Sequence, residues 1–361
     1  MYVVYCVEIG DGMNGEAIDV VIFAPLAPIF GLILFWFIQL IFIEIQKSLL
    51  NQLRSSHDAL IRFTNFIGIF FQTVCHALGY TLTRSGISRF YLSVDYGKVD
   101  PKKKKSGVFE WLVNMFLFIG PFFLPPFLLL AYFFLLSTNG FPLMMQSQFT
   151  FAENFIAFGS NLFAFSKDLV FFLGSIDLFH PAHLGFFLLF ILLGLGIRPS
   201  YIGKRPMEKV DMFYDLKNIR YNILHKPLYL LIGVLSAYIF SYLNVFFGQS
   251  LYVAMFSFFG WASILAIFAL VYAEVLLFWI YVLDDLPLGF RIINLLVLPI
   301  SYSLLRVLFY SLSWPFAPQI GFWGSVIITS VVTILLLQML TNKFKTLFPM
   351  NSIRGTSGGK K

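Results

Sequence analysis

Charge is what this chain has least of. Asp, Glu, Lys and Arg make up only 12% of its 361 residues, about half the ~25% of a typical soluble domain. Apolar residues make up 59%. A soluble fold of this size could not hide so much apolar surface, because even a large domain leaves roughly a quarter of its unfolded surface wet. Cysteine is nearly missing: Cys6 and Cys75 are the only two, too few for a thiolate cage. Cys75 sits in an apolar helical run, so a structural disulfide between them is not expected. No basic residue precedes the first apolar run, which follows Glu8, Asp11 and Glu16. A cleaved signal peptide would begin with positive charge, so the first span is expected to stay. No internal repeat and no long linker divides the chain, and no nucleic-acid-binding module is found among its basic segments.

What remains is a series of long apolar runs. Stretches such as Ile22–Ile45, Val108–Leu136 and Ile320–Leu340 reach the ~20 residues that cross a ~30 Å hydrocarbon layer as a helix. The ~10-residue alternating segments of a membrane β-barrel do not persist. The fold class is therefore an all-α polytopic membrane protein, and the bilayer is its first partner. About eight crossings are predicted, near residues 20–45, 60–83, 108–137, 181–197, 227–247, 250–283, 289–313 and 320–342. Lys and Arg concentrate in the segments 84–107 and 198–226 and in the tail after Thr341, whereas 137–152, 248–250 and 313–318 have none. By the excess of positive charge in cytoplasmic loops, the basic loops, the tail and both termini are expected to be cytoplasmic, with the cell (plasma) membrane as the expected location. Lys47, Arg54 and Arg62 are discordant with that arrangement. The run Lys102–Lys105 reads as a topogenic signal drawn to anionic headgroups.

Three segments are less regular. Glu153–Phe179 is apolar but interrupted by Asn161, Lys167, Asp168, Gly174 and Asp177, and fits a surface-lying helix or a half-span. Ile87–Val99 alternates as a short β-hairpin after the second span, followed by a Pro-Lys turn. Val210, Phe213, Tyr214 and Lys217 share one face of an amphipathic interfacial helix. Residues 1–361 form a single membrane domain in this reading.

Only five histidines are present, at 57, 76, 180, 183 and 225. One of them closes the stretch Gln72-Thr73-Val74-Cys75-His76, in which Gln72 and His76 stand four apart on one helix face. Zinc hydrolases use that spacing for paired histidine ligands, with a glutamate base after the first, as His-Glu-x-x-His. Here one ligand position survives, the other is an amide, and the base position is a hydroxyl. The helix is followed by Thr83-Arg84-Ser85-Gly86-Ile87, an extended stretch, Tyr96-Gly97, and then Gly120-Pro121 in the next span. This order resembles the intramembrane site-2 protease family and its archaeal relatives, in which a metal-binding helix, a small membrane-associated sheet and a span with a Gly-Pro turn follow one another. The resemblance covers about residues 60–200. Residues 225–342 are then an additional four-helix part, and 343–361 a basic cytoplasmic tail.

The resemblance implies a third ligand on a later helix, usually an Asp. The counterpart here is Phe179-His180-Pro181-Ala182-His183, with His183 in place of the Asp. The degenerate motif is thus Gln72, Thr73 and His76, with His76 and His183 as the candidate metal ligands. Without the glutamate no side chain accepts the proton of a metal-bound water, and a Thr hydroxyl is far too weakly basic to replace it. No catalytic residue is assigned and no cofactor is expected, zinc being the one candidate. Three readings of the cluster stand open. His76 can be a packed polar residue bonded to a neighbour such as Asn114 or Tyr96. An inherited pocket can bind a peptide, a lipid or a partner helix (a transmembrane segment or membrane-protein partner) without cutting it. Or His76 and His183, with Cys75 or Asp177, can form a rearranged metal site of an active metalloprotease.

Glu274 and Arg306 lie inside otherwise apolar spans, where ionisable groups need a partner or a watery cavity. An intramembrane ion pair between them is expected, with a transporter or lipid-handling pathway as the alternative. Pro121, Pro125 and Pro126 remove backbone donors in mid-span and predict a kink or a break near Gly120.

Overall fold

The computed structural model of the chain describes residues 18–53, 56–94, 97–103, 107–137, 150–197, 220–221, 224–249, 251–284 and 286–341. A π turn (Asp19–Phe23) and a 3-10 turn (Ala24–Leu26) lead into α1 (Ala27–Leu53). After it come α2 (Asp58–Leu82), β1 (Ile87–Leu92), β2 (Gly97–Pro101), α3 (Val108–Leu136), α4 (Phe151–Gly174) and α5 (Pro181–Gly196). The rest is α6 (Pro227–Phe246), α7 (Leu251–Leu283), α8 (Leu288–Ser311) and α9 (Ala317–Thr341). The Cys6 end, the segment carrying Val210–Lys217 and the tail 343–361 lie outside the described residues.

Seven described helices are long and apolar enough to cross a bilayer: Asp19–Leu53, Ile119–Leu136, Phe151–Gly174, Pro227–Phe246, Leu251–Leu283, Leu288–Ser311 and Ala317–Met339. Large apolar side chains on them face outward, among them Leu135 (82% exposed), Phe163 (73%) and Met339 (81%), as lipid allows and water does not. The chain is an integral helical membrane protein.

Two expected crossings fall short. α2 forms over the expected range, but Arg62, Asn65, Gln72 and His76 dilute its apolarity. α5 has 16 residues, about 24 Å of helix against a ~30 Å core. In the other direction, Phe151–Gly174 is a full-length apolar helix. Its Asn161, which interrupted the sequence pattern, is fully buried and donates from Nδ2 to the Ser257 hydroxyl (3.1 Å), while its carbonyl accepts the Trp261 indole N–H (3.1 Å). α3 runs unbroken through all three prolines.

The chain divides into two compact units: Met1–Phe171 with Gly185–Glu274, and Phe172–Leu184 with Val275–Lys361. In the first, α1 acts as a spine. Gln39 and Gln46, two turns apart and both fully buried, donate from Nε2 to the carbonyls of Phe122 (3.1 Å) and Gly194 (2.9 Å). Each target lacks an ordinary helical donor: the residue four beyond Phe122 is Pro126, and Gly194 is in the last turn of α5. Close helix approach is paid out by glycine. A methyl at Gly194 would fall on the Ala269 carbonyl of α7, and one at Gly31 on the Phe158 ring. The predicted hairpin forms, with Phe90 opposite Val99 and Leu92 opposite Gly97, and β2 turns Gly97 and Val99 inward against α2. The entry turn is held by three tyrosines, whose hydroxyls donate to the carbonyls of Ile22 (Tyr238, 2.6 Å), Val21 (Tyr242) and Pro25 (Tyr252, 2.5 Å).

The second unit is built on the α8–α9 hairpin. α9 presents Gly321, Ser325, Thr329 and Thr333 every fourth residue, the three hydroxyl residues all buried. Small residues at that spacing let two membrane helices approach closely, and Gly321 meets Tyr302 and Arg306 of α8. Thr333 also accepts from Asn294 Nδ2 (2.8 Å) and Trp279 Nε1 (3.4 Å). Arg291 closes the turn from α7, bonding the Asp284 carboxylate (3.0 Å) and the carbonyls of Asp284 (2.6 Å) and Leu286 (2.7 Å).

Candidate functional site

The degenerate motif lies on α2, in the first unit. Ile61, Thr64, Ile67, Gly68, Phe71, Cys75 and Gly79 form the buried stripe of this helix, and Gln72 and His76 flank it, each half-buried. Thr73, at the position of the protease base, is 1% exposed. Its hydroxyl donates to the Ile69 carbonyl of its own helix (2.6 Å). Gly97 of β2 packs so closely that a Cβ there would collide with Thr73 Oγ1 and lie 2.8 Å from Ile69 Cγ2. A buried hydroxyl already bonded and covered by backbone has no room for a reacting water. The Gln72 Oε1 atom is buried and has no hydrogen-bond partner among the described residues. Cys75 is fully buried with its thiol free. The neighbours expected for His76, Tyr96 and the Asn114 side chain, lie outside the described residues.

The best-organised polar group lies in the second unit, on the turn between α4 and α5 and on α8. Asp177 Oδ2 accepts from the Arg306 guanidinium at 2.7 and 3.3 Å, and Oδ1 accepts from the Tyr302 hydroxyl (3.0 Å) and the Phe179 N–H (3.1 Å). The Tyr302 hydroxyl in turn accepts the Leu178 N–H (2.7 Å), and the Arg306 guanidinium lies 4.9 Å from the Tyr310 ring centroid. The carboxylate and the guanidinium keep 19% and 14% of their side-chain exposure. Burial pushes the Asp177 carboxyl up, but the bonds from Arg306, Phe179 and Tyr302 outweigh it and hold the group below the usual carboxylate range. The local fold explains the geometry: Asp177 makes an Asx-type turn onto Phe179, its carbonyl accepts the His180 N–H (2.9 Å), and Pro181 opens α5.

His183 is part of this group. Its Nδ1 accepts the Asp177 N–H (3.2 Å), and its ring lies 4.7 Å from that of His180. A neutral imidazole that accepts at Nδ1 carries its proton on Nε2. In this arrangement the outer nitrogen offers an N–H, and coordinating a metal there requires the Asp177 bond to break.

Gln72, Thr73 and His76 thus share one helix of the first unit, whereas His183 belongs to the second. Among the described residues, no three His, Cys, Asp or Glu side chains gather as metal ligands. Arg306 takes Asp177 as its carboxylate, where Glu274 was the expected partner. Glu274, in the first unit, is 9% exposed and its Oε1 has no partner among the described residues. From the sequence Asp177 is an interruption of an apolar run and a possible extra ligand, not the expected partner of Arg306. Tyr302 is not singled out there at all, although Tyr302, Arg306 and Tyr310 stand four apart on one helix face and could have signalled a polar stripe. A shallow hollow of about 390 Å³ lies between the start of α2 and the end of β1, lined by Ala59, Arg62, Phe63, Phe66 and Val94.

Fold and site define a polytopic helical membrane protein with a short hairpin laid on its second helix. No protein-family model, curated protein or solved structure matches the chain.

Proposed function

We propose that this is a non-proteolytic binding or scaffold subunit of a membrane assembly, related to site-2 proteases through α2 and its hairpin, which holds a membrane-embedded partner segment. The observation that carries the reading is Thr73: the place of the catalytic base is a packing contact with Gly97, bonded to its own helix. The His183 tautomer set by Asp177 adds support. In this reading the basic segments and the tail face the cytoplasm of a cell membrane, and no metal takes part.

The test is photocrosslinking in vesicles of defined composition, with the protein carrying benzoylphenylalanine at position 76 and a synthetic single-span helix as probe. Adducts to the helix and an absence of fragments are expected. Cleavage of the helix by the wild-type chain, abolished by His76→Ala, would establish the active metalloprotease instead; adducts to lipid alone would remove the binding role. A transport or lipid-handling role is the second reading, and Glu274 favours it, because a buried carboxylate oxygen without a partner in a membrane helix marks a functional position by default. Under that reading Glu274→Gln abolishes solute or lipid movement across the vesicles and leaves crosslinking at position 76 unchanged.

A further inference from the structure

α3 contains Pro121, Pro125 and Pro126. A proline at position i leaves the carbonyl at i−4 without its helical donor, so Pro125 and Pro126 strip the carbonyls of Pro121 and Phe122. Lipid supplies no replacement. One replacement is present: the fully buried Gln39 of α1 donates from Nε2 to the Phe122 carbonyl at 3.1 Å. Eighty-three residues of chain separate the two, and the bond restores to α3 the hydrogen bond that Pro126 removed.

The rest of this contact is only half used. Among the described residues Gln39 Oε1 has no partner, and neither does Trp36 Nε1 one turn earlier on α1. The Trp36 ring stands edge-on to Phe122, 5.9 Å between centroids and 79° between planes. Gln46 fills an orphan carbonyl in the same way, but in the last turn of α5, where a carbonyl lacks its helical donor in any case. At α3 the replaced bond lies in the middle of a continuous helix whose ladder proline has opened.

We propose that Gln39 is the latch of a hinge in α3 at Pro121–Pro126. Engaged, its amide holds α3 to α1 and completes the helix. Released, it leaves the Pro121 and Phe122 carbonyls, its own Oε1 and the Trp36 N–H to bond a polar group of the membrane-embedded segment. Only that last step rests on the binding role proposed above.

The latch is tested by substituting both ends in the full-length protein, in lipid nanodiscs. Gln39→Met keeps the length and removes the donor. Pro126→Ala returns an N–H to position 126 and makes the donor redundant. Gln39→Met is expected to lower Tm by several degrees in the native background and by less than one degree in the Pro126→Ala background. Nitroxides at the exposed positions 33 and 135, with Cys6 and Cys75 replaced by serine, are expected to give a broader distance distribution in Gln39→Met than in wild type. Equal Tm losses in both backgrounds, or an unchanged distribution, would overturn the latch. Should Gln39→Met fail to fold, Pro126→Ala alone decides: a narrower distribution than wild type is expected, and an unchanged one overturns the proposal. Adding the single-span helix to these samples separates the two ideas. An intact substitution cycle with no response to the helix keeps the latch and removes the binding role.

Discussion

The two compact units differ in how they use their polar groups. In the second, Asp177, Arg306, Tyr302 and His183 satisfy one another, and a ladder of small and hydroxyl residues on α9 lets α8 approach closely. In the first, Gln39 and Gln46 fill single orphan carbonyls, and their Oε1 atoms, with those of Gln72 and Glu274, have no partner among the described residues; in the second, only Asn294 Oδ1 and Gln319 Oε1 are so placed among the described residues. A satisfied network in a low-dielectric interior rigidifies its surroundings, whereas an unpaired buried polar atom is costly there. The residues that look most like chemistry in the sequence, 72 to 76, sit in the unit where the key hydroxyl is packed away.

Backbone contact separates the first unit's rigid points from its open ones most sharply. Gly194→Val is expected to cost about 3 kcal/mol or more, because its methyls fall on the Ala269 carbonyl, which cannot move aside as a side chain can. Folded yield by size-exclusion chromatography should collapse. Gly233→Ala on α6, where nothing lies within 4 Å of an added Cβ, should be neutral or stabilise by up to about 1 kcal/mol.

Carboxylates give the next largest contrast. Asp177→Asn and Arg306→Gln are each expected to destabilise by about 2 kcal/mol, less than a fully buried pair because both groups keep some exposure. The double substitution should fall well short of the sum, as read by thermal unfolding. Glu274→Gln should leave stability unchanged or raised, since no partner is lost. Equal losses at 177 and 274 would erase the distinction between the units.

Acid should act on the same pair. The folded Asp177 group is held below its usual value, so its contribution is complete above the ordinary carboxylate pKa of about 3.9 and is lost as pH falls through the depressed one. The Tm difference between wild type and Asp177→Asn is expected to shrink on acidification through that range. The smallest effect belongs to the motif itself. Thr73→Val preserves shape and removes one local hydrogen bond, and should lower stability by about 1 kcal/mol without changing helix capture in vesicles.

Much of the fold is legible in the amino-acid sequence because lipid imposes long apolar runs, and alternation between Ile87 and Val99 was enough to place the hairpin. α4 was obscured by Asn161, whose partners Ser257 and Trp261 are about a hundred residues away. The site was less legible for the same reason. Arg306 announced a need for a partner but not which one, and Asp177 is 129 residues distant. The four-residue spacing of Gln72 and His76 was visible at once, yet the fate of Thr73 depends on Gly97, a contact that only folding of the hairpin onto α2 creates.

The most direct measurement is the zinc content of purified protein after zinc exposure and dialysis, for wild type, His76→Ala and His183→Ala. Far less than one zinc per chain, equal in all three, is the expected result. One zinc per chain in wild type, lost in either variant, would contradict a packed and non-catalytic motif.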